Sequence, residues 1–321
     1  MVKWGKRKAE ELHMGAINRK ISLSAERRII CISDIHGHLD LFQKLLQKIG
    51  YRPDDQLILL GDLYAKGPKR HETLQFIIRM AENPNVHVLR GNCDWGEDYL
   101  TPEEAAWQDD LPHILETEDY IFVHGGLPSM EYDAFEPVNC MKFDNFMERA
   151  GRFEKWVITG HWPVNNYCHE IPCFNPIVNA EKHIIAIDGG CVVVHHAGQL
   201  NALLIENGRF SAASADMLPQ IRVERAQPAS GGTLCVTYTD RFVEVLEHGE
   251  PLSLCRHLAS GKMLEIPNEF LWRDWNGRLG AGVGATDYWM PVEAGETVSL
   301  VREYPDRLLV KRNGVLGWLA R

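Results

Sequence analysis

Six times between Arg28 and Phe210, a short apolar run stops abruptly at a polar, glycine-bearing cluster. Ile29-Ile30-Cys31-Ile32 meets Ser33-Asp34-Ile35-His36-Gly37-His38, and Leu57-Ile58-Leu59-Leu60 meets Gly61-Asp62-Leu63-Tyr64-Ala65-Lys66-Gly67-Pro68. Val86-His87-Val88-Leu89 meets Arg90-Gly91-Asn92-Cys93-Asp94-Trp95, and Tyr120-Ile121-Phe122-Val123 meets His124-Gly125-Gly126. Trp156-Val157-Ile158 meets Thr159-Gly160-His161-Trp162, and Ile184-Ile185-Ala186-Ile187 meets Asp188-Gly189-Gly190-Cys191. Unbroken apolar runs rich in β-branched residues suit strands buried on both faces, not strands with one wet face. Two gaps carry helical spacing: Leu41, Phe42, Leu45, Leu46 and Ile49 before Gly50, and Leu74, Ile77, Ile78 and Ala81 before Pro84. Strands alternating with helices predict a substantially parallel α/β sheet, and such sheets bind ligands beyond the carboxyl ends of their strands. Each polar cluster follows a strand, so the clusters are expected to converge.

Composition narrows what they converge on. The 321 residues are 45% hydrophobic, which excludes wholesale disorder. Acidic residues outnumber basic ones 44 to 34, for a net charge of -10, which excludes a general grip on nucleic-acid backbone. A phosphorylated substrate is still allowed, because a bound cation dominates its local field. Met1 to Arg28 opens with Lys3, Lys6, Arg7 and Lys8 but lacks the apolar core of a signal peptide, so 1–28 reads as a basic leader. No apolar run approaches the roughly 18–20 residues of a membrane span. The expectation is a cytoplasmic protein with no membrane partner. Eight scattered cysteines form no disulfide framework; Cys168, His169 and Cys173 are spaced for zinc, but no second pair completes the set.

The texture changes after Ala212. Residues 29–212 read as the catalytic domain, 213–230 with Pro219 and Pro228 as a linker, and 231–321 as a β-rich domain. Strands are expected at Phe242–Leu246, Thr297–Val301, Leu308–Val310 and Gly317–Leu319, with Asn313-Gly314 as a hairpin turn. Gly249–Leu254 is expected to begin a first, more degenerate copy of the pattern formed by the last strands. The order of the last strands resembles bacterial SH3-like modules, which implies a peptide or protein ligand for this domain.

Asp34, His36, Asp62, Asn92, His124 and His161 offer oxygen and imidazole donors, a set that suits Mn, Fe or Zn and needs no thiolate. Taken singly, each has an ordinary reading as a core histidine, a helix cap or a turn residue. Together they would be six coincidences at strand ends. The ordered motifs D-x-H-G, G-D-x-x-x-x-G, G-N-x-D, H-G-G and G-H resemble the calcineurin-like metallophosphoesterases, specifically the phosphoprotein phosphatase branch. The resemblance spans about residues 28 to 210. It implies an α/β fold, a two-sheet αββα sandwich, here followed by an all-β SH3-like domain. It also implies two divalent metal ions, Mn foremost. Asp34 and His36 would hold the first, Asp62 would bridge, and Asn92, His124 and His161 would hold the second. Arg90 matches the family's phosphate-binding arginine, Lys66 stands where another arginine is usual, and Arg149 is the candidate for a third. The implied activity is phosphomonoester hydrolysis, foremost on phosphoserine or phosphothreonine proteins, by a hydroxide activated between two metals. Small phosphorylated molecules are the other substrate class.

One departure opens a second reading. That branch pairs a histidine in the GN motif with an aspartate in the GD motif to protonate the leaving group; here the positions hold Cys93 and Ala65. Either His38, Asp94 or a metal-bound water supplies the proton, with Cys93 and Asp94 counted among the catalytic candidates, or the leaving group needs none. GDLYAKGP also resembles the GDLVARGP form of symmetrical diadenosine tetraphosphatases, so hydrolysis of a dinucleoside polyphosphate is the alternative. Those proteins keep the histidine that Cys93 replaces and lack the C-terminal extension. A non-catalytic phosphate-binding scaffold is a third reading. Nothing in the pattern claims His195 or His196, and Trp95 and Trp162 are candidates to wall the pocket.

Overall fold

The structure, a computed structural model, describes residues 15–24, 26–94, 100–129, 135–191, 197–282 and 284–321. The basic cluster Lys3 to Lys8, Trp95, His195 and His196 lie outside the described residues. The chain divides into two compact units, the second of which takes Val164–Asn175 and the segment ending at Gln199 in addition to Asp216–Arg321.

The first unit carries two mixed sheets. One orders β11(Arg209–Ala215)-β10(Leu200–Glu206)-β2(Ile29–Ile32)-β3(Gln56–Leu59)-β4(Val86–Val88), with β2, β3 and β4 parallel. The other orders β1(Asn18–Lys20)-β5(Ile114–Glu116)-β6(Tyr120–Val123)-β7(Trp156–Thr159)-β9(Ile184–Ala186)-β8(Ile177–Asn179), with β6, β7 and β9 parallel. Alternation along each strand explains the unbroken apolar runs. Ile30, Ile32, Leu57 and Leu59 pack with Leu41, Phe42, Leu45, Leu74 and Ile77 of helices α1(Leu39–Lys48) and α2(Arg70–Ala81). The intervening Ile29, Cys31, Ile58 and Leu60 face the other sheet and meet Phe122, Ile158 and Ile185. Both faces of these runs are dry. This is the metallophosphoesterase α/β sandwich. The sheets are mixed, not parallel throughout, because β10 returns antiparallel to β2 and β5 antiparallel to β6.

The basic leader is corrected in part: Asn18–Lys20 forms β1, an edge strand parallel to β5. Three residues of low apolar content gave the sequence no strand signal.

The second unit is all β. A four-stranded sheet orders β12(Gln220–Arg222)-β18(Thr297–Glu303)-β19(Arg307–Arg312)-β20(Val315–Ala320), and a three-stranded one orders β13(Val243–Glu247)-β14(Leu252–His257)-β15(Met263–Pro267). A hairpin, β16(Leu271–Arg273) and β17(Leu279–Ala281), completes it. Asn313 and Gly314, both at positive φ, turn β19 into β20 as their sequence predicts. The linker expected at 213–230 is overturned. Residues 213–215 complete β11, and β12 pairs with β18. Asp216 meets the buried Lys311 ammonium at 2.9 Å, which also donates to the Ala197 carbonyl at 2.8 Å. Pro219, one of the prolines that suggested a linker, directly precedes the edge strand β12, where a missing N–H costs little.

Candidate metal centre

The polar clusters do converge. Asp34, His36, Asp62 and His124 are each 3% exposed or less. Two donor sets form among the described residues, Asp34–Asp62–His124 and His36–Asp62–Cys93, each with its ligand atoms within 4.8 Å of one another. Asp62 belongs to both. His36 Nε2 is 3.6 Å from Asp62 Oδ2 and 3.8 Å from Asp34 Oδ1. His124 Nε2 lies 3.3 Å from Asp62 Oδ1 and 3.2 Å from Asn92 Oδ1.

The backbone is bent hard to achieve this. Asp34, His36, Asp62, Lys66 and His161 all sit at positive φ, a region non-glycine residues seldom occupy. Two glycines allow the close approach. A Cβ on Gly91 would fall 2.1 Å from the Asp62 nitrogen and 2.3 Å from its Oδ1, and one on Gly160 would meet Asp34 Oδ2 at 2.5 Å.

Surrounding hydrogen bonds orient the donors. His124 Nδ1 donates to the Leu60 carbonyl at 2.7 Å, which turns Nε2 toward the pocket. Asp34 Oδ2 accepts from the His161 N–H at 3.0 Å and from Ser33 Oγ. Asp62 Oδ1 accepts the Cys93 N–H at 2.7 Å. The pocket is strongly anionic. Burial alone would lower His124, yet Asp62 and Asp34 push it up to about 10. Burial likewise pulls Lys66 down, but Cys93, Asp62 and Asp34 outweigh it and the net shift is upward. Buried carboxylates and imidazoles crowded at this spacing, with glycines cleared from their path, fit divalent cations.

The other expected residues make further contacts around the cluster. His161 turns its Nε2 to Asp144 Oδ1 at 2.8 Å, with its ring centroid 5.4 Å from that of His124. The Arg149 guanidinium stacks 4.6 Å from the Phe143 centroid and donates to the carbonyl of Asp144, the residue that His161 meets. Asp94 accepts the Leu63 N–H at 2.8 Å and the Gly91 N–H at 3.0 Å, so both oxygens brace the motif loops. Arg90 is 4% exposed, with its N–H on the Pro112 carbonyl and its guanidinium 3.6 Å from Asp109. Trp162 is buried, 8% exposed. The zinc reading of Cys168 and Cys173 is not met: Cys168 Sγ points to the Cys173 carbonyl, and neither joins a metal-spaced donor set among the described residues. Asp188 was missed. It is fully buried at the end of β9, raised well above the usual carboxylate range by burial and then by Asp34, and accepts the Gly190 N–H. Its signal was present, since it too follows an apolar run.

The family model described as calcineurin-like phosphoesterase matches residues 27–190. A symmetrical bis(5'-nucleosyl)-tetraphosphatase of Vibrio campbellii is 29% identical over 133 residues, covering 35% of this chain and 48% of that protein. Its counterpart in Neisseria meningitidis serogroup A is 34% identical over 130 residues, covering 40% and 45%. The chain thus spans about half the length of the curated relatives it matches. The solved structure of a Saccharomyces cerevisiae protein serine/threonine phosphatase aligns with a TM-score of 0.44 at 12% identity, covering 67% of this chain and 88% of that one.

Proposed function

The chain belongs to the calcineurin-like phosphoesterase family, and from that premise we propose that it hydrolyses a dinucleoside polyphosphate of the diadenosine tetraphosphate type. It is a metal-dependent phosphoric ester hydrolase. The observation that carries the finer reading is the replacement of the leaving-group acid pair by Cys93 and Ala65. Burial, then Asp62, pushes the Cys93 thiol far above its ordinary value, so it is a poor proton donor. A nucleoside diphosphate departs as a phosphate whose second pKa is about 6, whereas a serine alkoxide needs a proton. The matched tetraphosphatases support the same substrate class. The phosphoprotein reading is the weaker of the two on both counts.

Asp34, His36, Asp62, Asn92, His124 and His161 would hold two divalent ions. When bound, these supply a Lewis acid and water of lowered pKa. Arg90 and Lys66 would bind the phosphate chain, and Asp94 would keep the loops carrying Asp62 and Asn92 in register. Water adds at an inner phosphorus, the bridging P–O bond breaks, and two nucleoside diphosphates leave. An SH3-like, peptide-binding role for the all-β unit, and residence in the cytoplasm, belong to this proposal and rest on sequence pattern alone.

The test is turnover of diadenosine tetraphosphate, a phosphoserine peptide and p-nitrophenyl phosphate, each with and without chelator. Chelator-sensitive release of ADP alone is expected, with kcat/KM above that for the peptide by at least about 10²-fold. Comparable or faster turnover of the peptide would return the assignment to the phosphoprotein phosphatases. No turnover of any substrate would favour the scaffold.

A further inference from the structure

The two donor sets that share Asp62 are chemically unlike. Asp34, Asp62 and His124 offer only oxygen and nitrogen, whereas His36, Asp62 and Cys93 add sulfur. We propose that the Cys93 thiolate is itself a ligand of the ion held by His36 and Asp62, and that this sulfur tilts the position toward Zn²⁺ or Fe²⁺ and away from Mn²⁺ or Mg²⁺. The inference rests on the two-ion reading above and deepens it.

Geometry carries the case. The three donor atoms lie within 4.8 Å of one another, a spacing that bonds of about 2.0–2.3 Å span with side-chain adjustment alone. The sulfur is held at the pocket. The Cys93 N–H is fixed on Asp62 Oδ1 at 2.7 Å, and Asn92 Nδ2 donates to Sγ at 3.2 Å. The electrostatic influence of Cys93 on Lys66 raises the Lys66 ammonium, which places the two side chains in one neighbourhood. His36, 2% exposed, has no hydrogen-bond partner at Nδ1 among the described residues, while its Nε2 faces Asp62 and Asp34.

Ligand chemistry then sets the metal. Thiolate and imidazole favour zinc and iron, and carboxylate-rich sites favour manganese and magnesium. As the metal–sulfur bond forms, the thiol proton passes to solvent. A cysteine spent on the metal is also unavailable as an acid, so the residue that replaces the family histidine would have exchanged one duty for another.

The test uses the full chain, stripped by chelator and reloaded with Co²⁺. A near-ultraviolet sulfur-to-cobalt charge-transfer band is expected in the wild type and is expected to vanish in Cys93→Ser while elemental analysis still finds cobalt bound. In competition dialysis against Zn²⁺ and Mn²⁺, the bound zinc-to-manganese ratio should fall at least about tenfold in the variant. Should the variant fail to fold, mass spectrometry of iodoacetamide labelling at Cys93 in the wild type decides the matter. Labelling should be slow with Zn²⁺ bound and faster without it. Bound cobalt with no sulfur band, a band unchanged in the variant, or equal labelling in the two states overturns the inference and leaves the two-ion reading intact. Failure to bind any metal overturns both.

Discussion

His113 should make the first unit lose stability as pH falls below 6.5. The residue sits one position before β5, its side chain almost wholly buried at 3% exposure. Its own N–H donates to the Ile17 carbonyl at 2.9 Å, and its Nδ1 accepts the Ile17 N–H at 3.0 Å, so a proton on Nδ1 would break that bond. Burial, then the positive charge of Arg90, lowers it from 6.5 to about 4. In the folded chain the ring therefore stays neutral down to about 4, while in the unfolded chain it accepts a proton below about 6.5. Stability from this group is intact above 6.5 and is lost as pH falls through that window. The full loss is about 3 kcal/mol, since each pH unit between the folded and unfolded values is worth about 1.4 kcal/mol, and about 2 kcal/mol of it has gone by pH 5. His113→Asn keeps an acceptor for Ile17 and removes the titration. Urea unfolding at pH 7 and pH 5 should show the wild type losing about 2 kcal/mol more than the variant, since carboxylates titrate alike in both. An imidazole resonance of His113 that titrates near 6.5 in the folded protein, or equal pH losses in the two proteins, would refute the reasoning.

Three further outcomes are expected. Asp62→Asn should abolish turnover and lower metal content, because Asp62 is common to both donor sets; two metals per chain with normal turnover would sink the assignment. Gly91→Ala should do the same with every ligand still in place, since its Cβ would overlap the Asp62 backbone and carboxylate, and metal content by elemental analysis reads the effect. A chain ended at Ala215 should aggregate: Phe174, 0% exposed, donates its N–H to the Gly314 carbonyl, and Cys173 bridges Val315, partners the truncation removes. A soluble, monomeric product on gel filtration would show that the 164–175 segment is self-sufficient.

The sheets of the first unit were legible because burial on both faces writes itself as unbroken apolar runs, and the helices because Leu41 to Ile49 and Leu74 to Ala81 keep one dry face. The convergence of Asp34, His36, Asp62, Asn92 and His124 followed from their common place after strands. The rest depended on features that sequence does not carry. Edge strands such as β1 and β12 are short and half wet, so they leave no periodic trace. The linker misreading has the same root, since Pro219 precedes an edge strand and the partners Asp216 and buried Lys311 are 95 residues apart in sequence. Asp94 shows the opposite limit. Its place in the motif suggested chemistry, and only its two backbone hydrogen bonds reveal a brace.

The positions that break local rules cluster at one place, and together they constrain the chemistry. Five non-glycine residues in the left-handed region, two glycines with no room for a methyl group, and a buried set of carboxylates are each costly to folding. Such costs persist where bound cations offset them, because a metal that binds only the folded state adds its binding free energy to stability. Ala65 carries no such cost and offers no chemistry, while Cys93 is drawn into the pocket by Asp62, Asn92 and Lys66. A cysteine that merely stood where an acid was lost would have no need of three polar neighbours. The neighbours are there, in keeping with the proposal that the residue at 93 changes what the pocket binds.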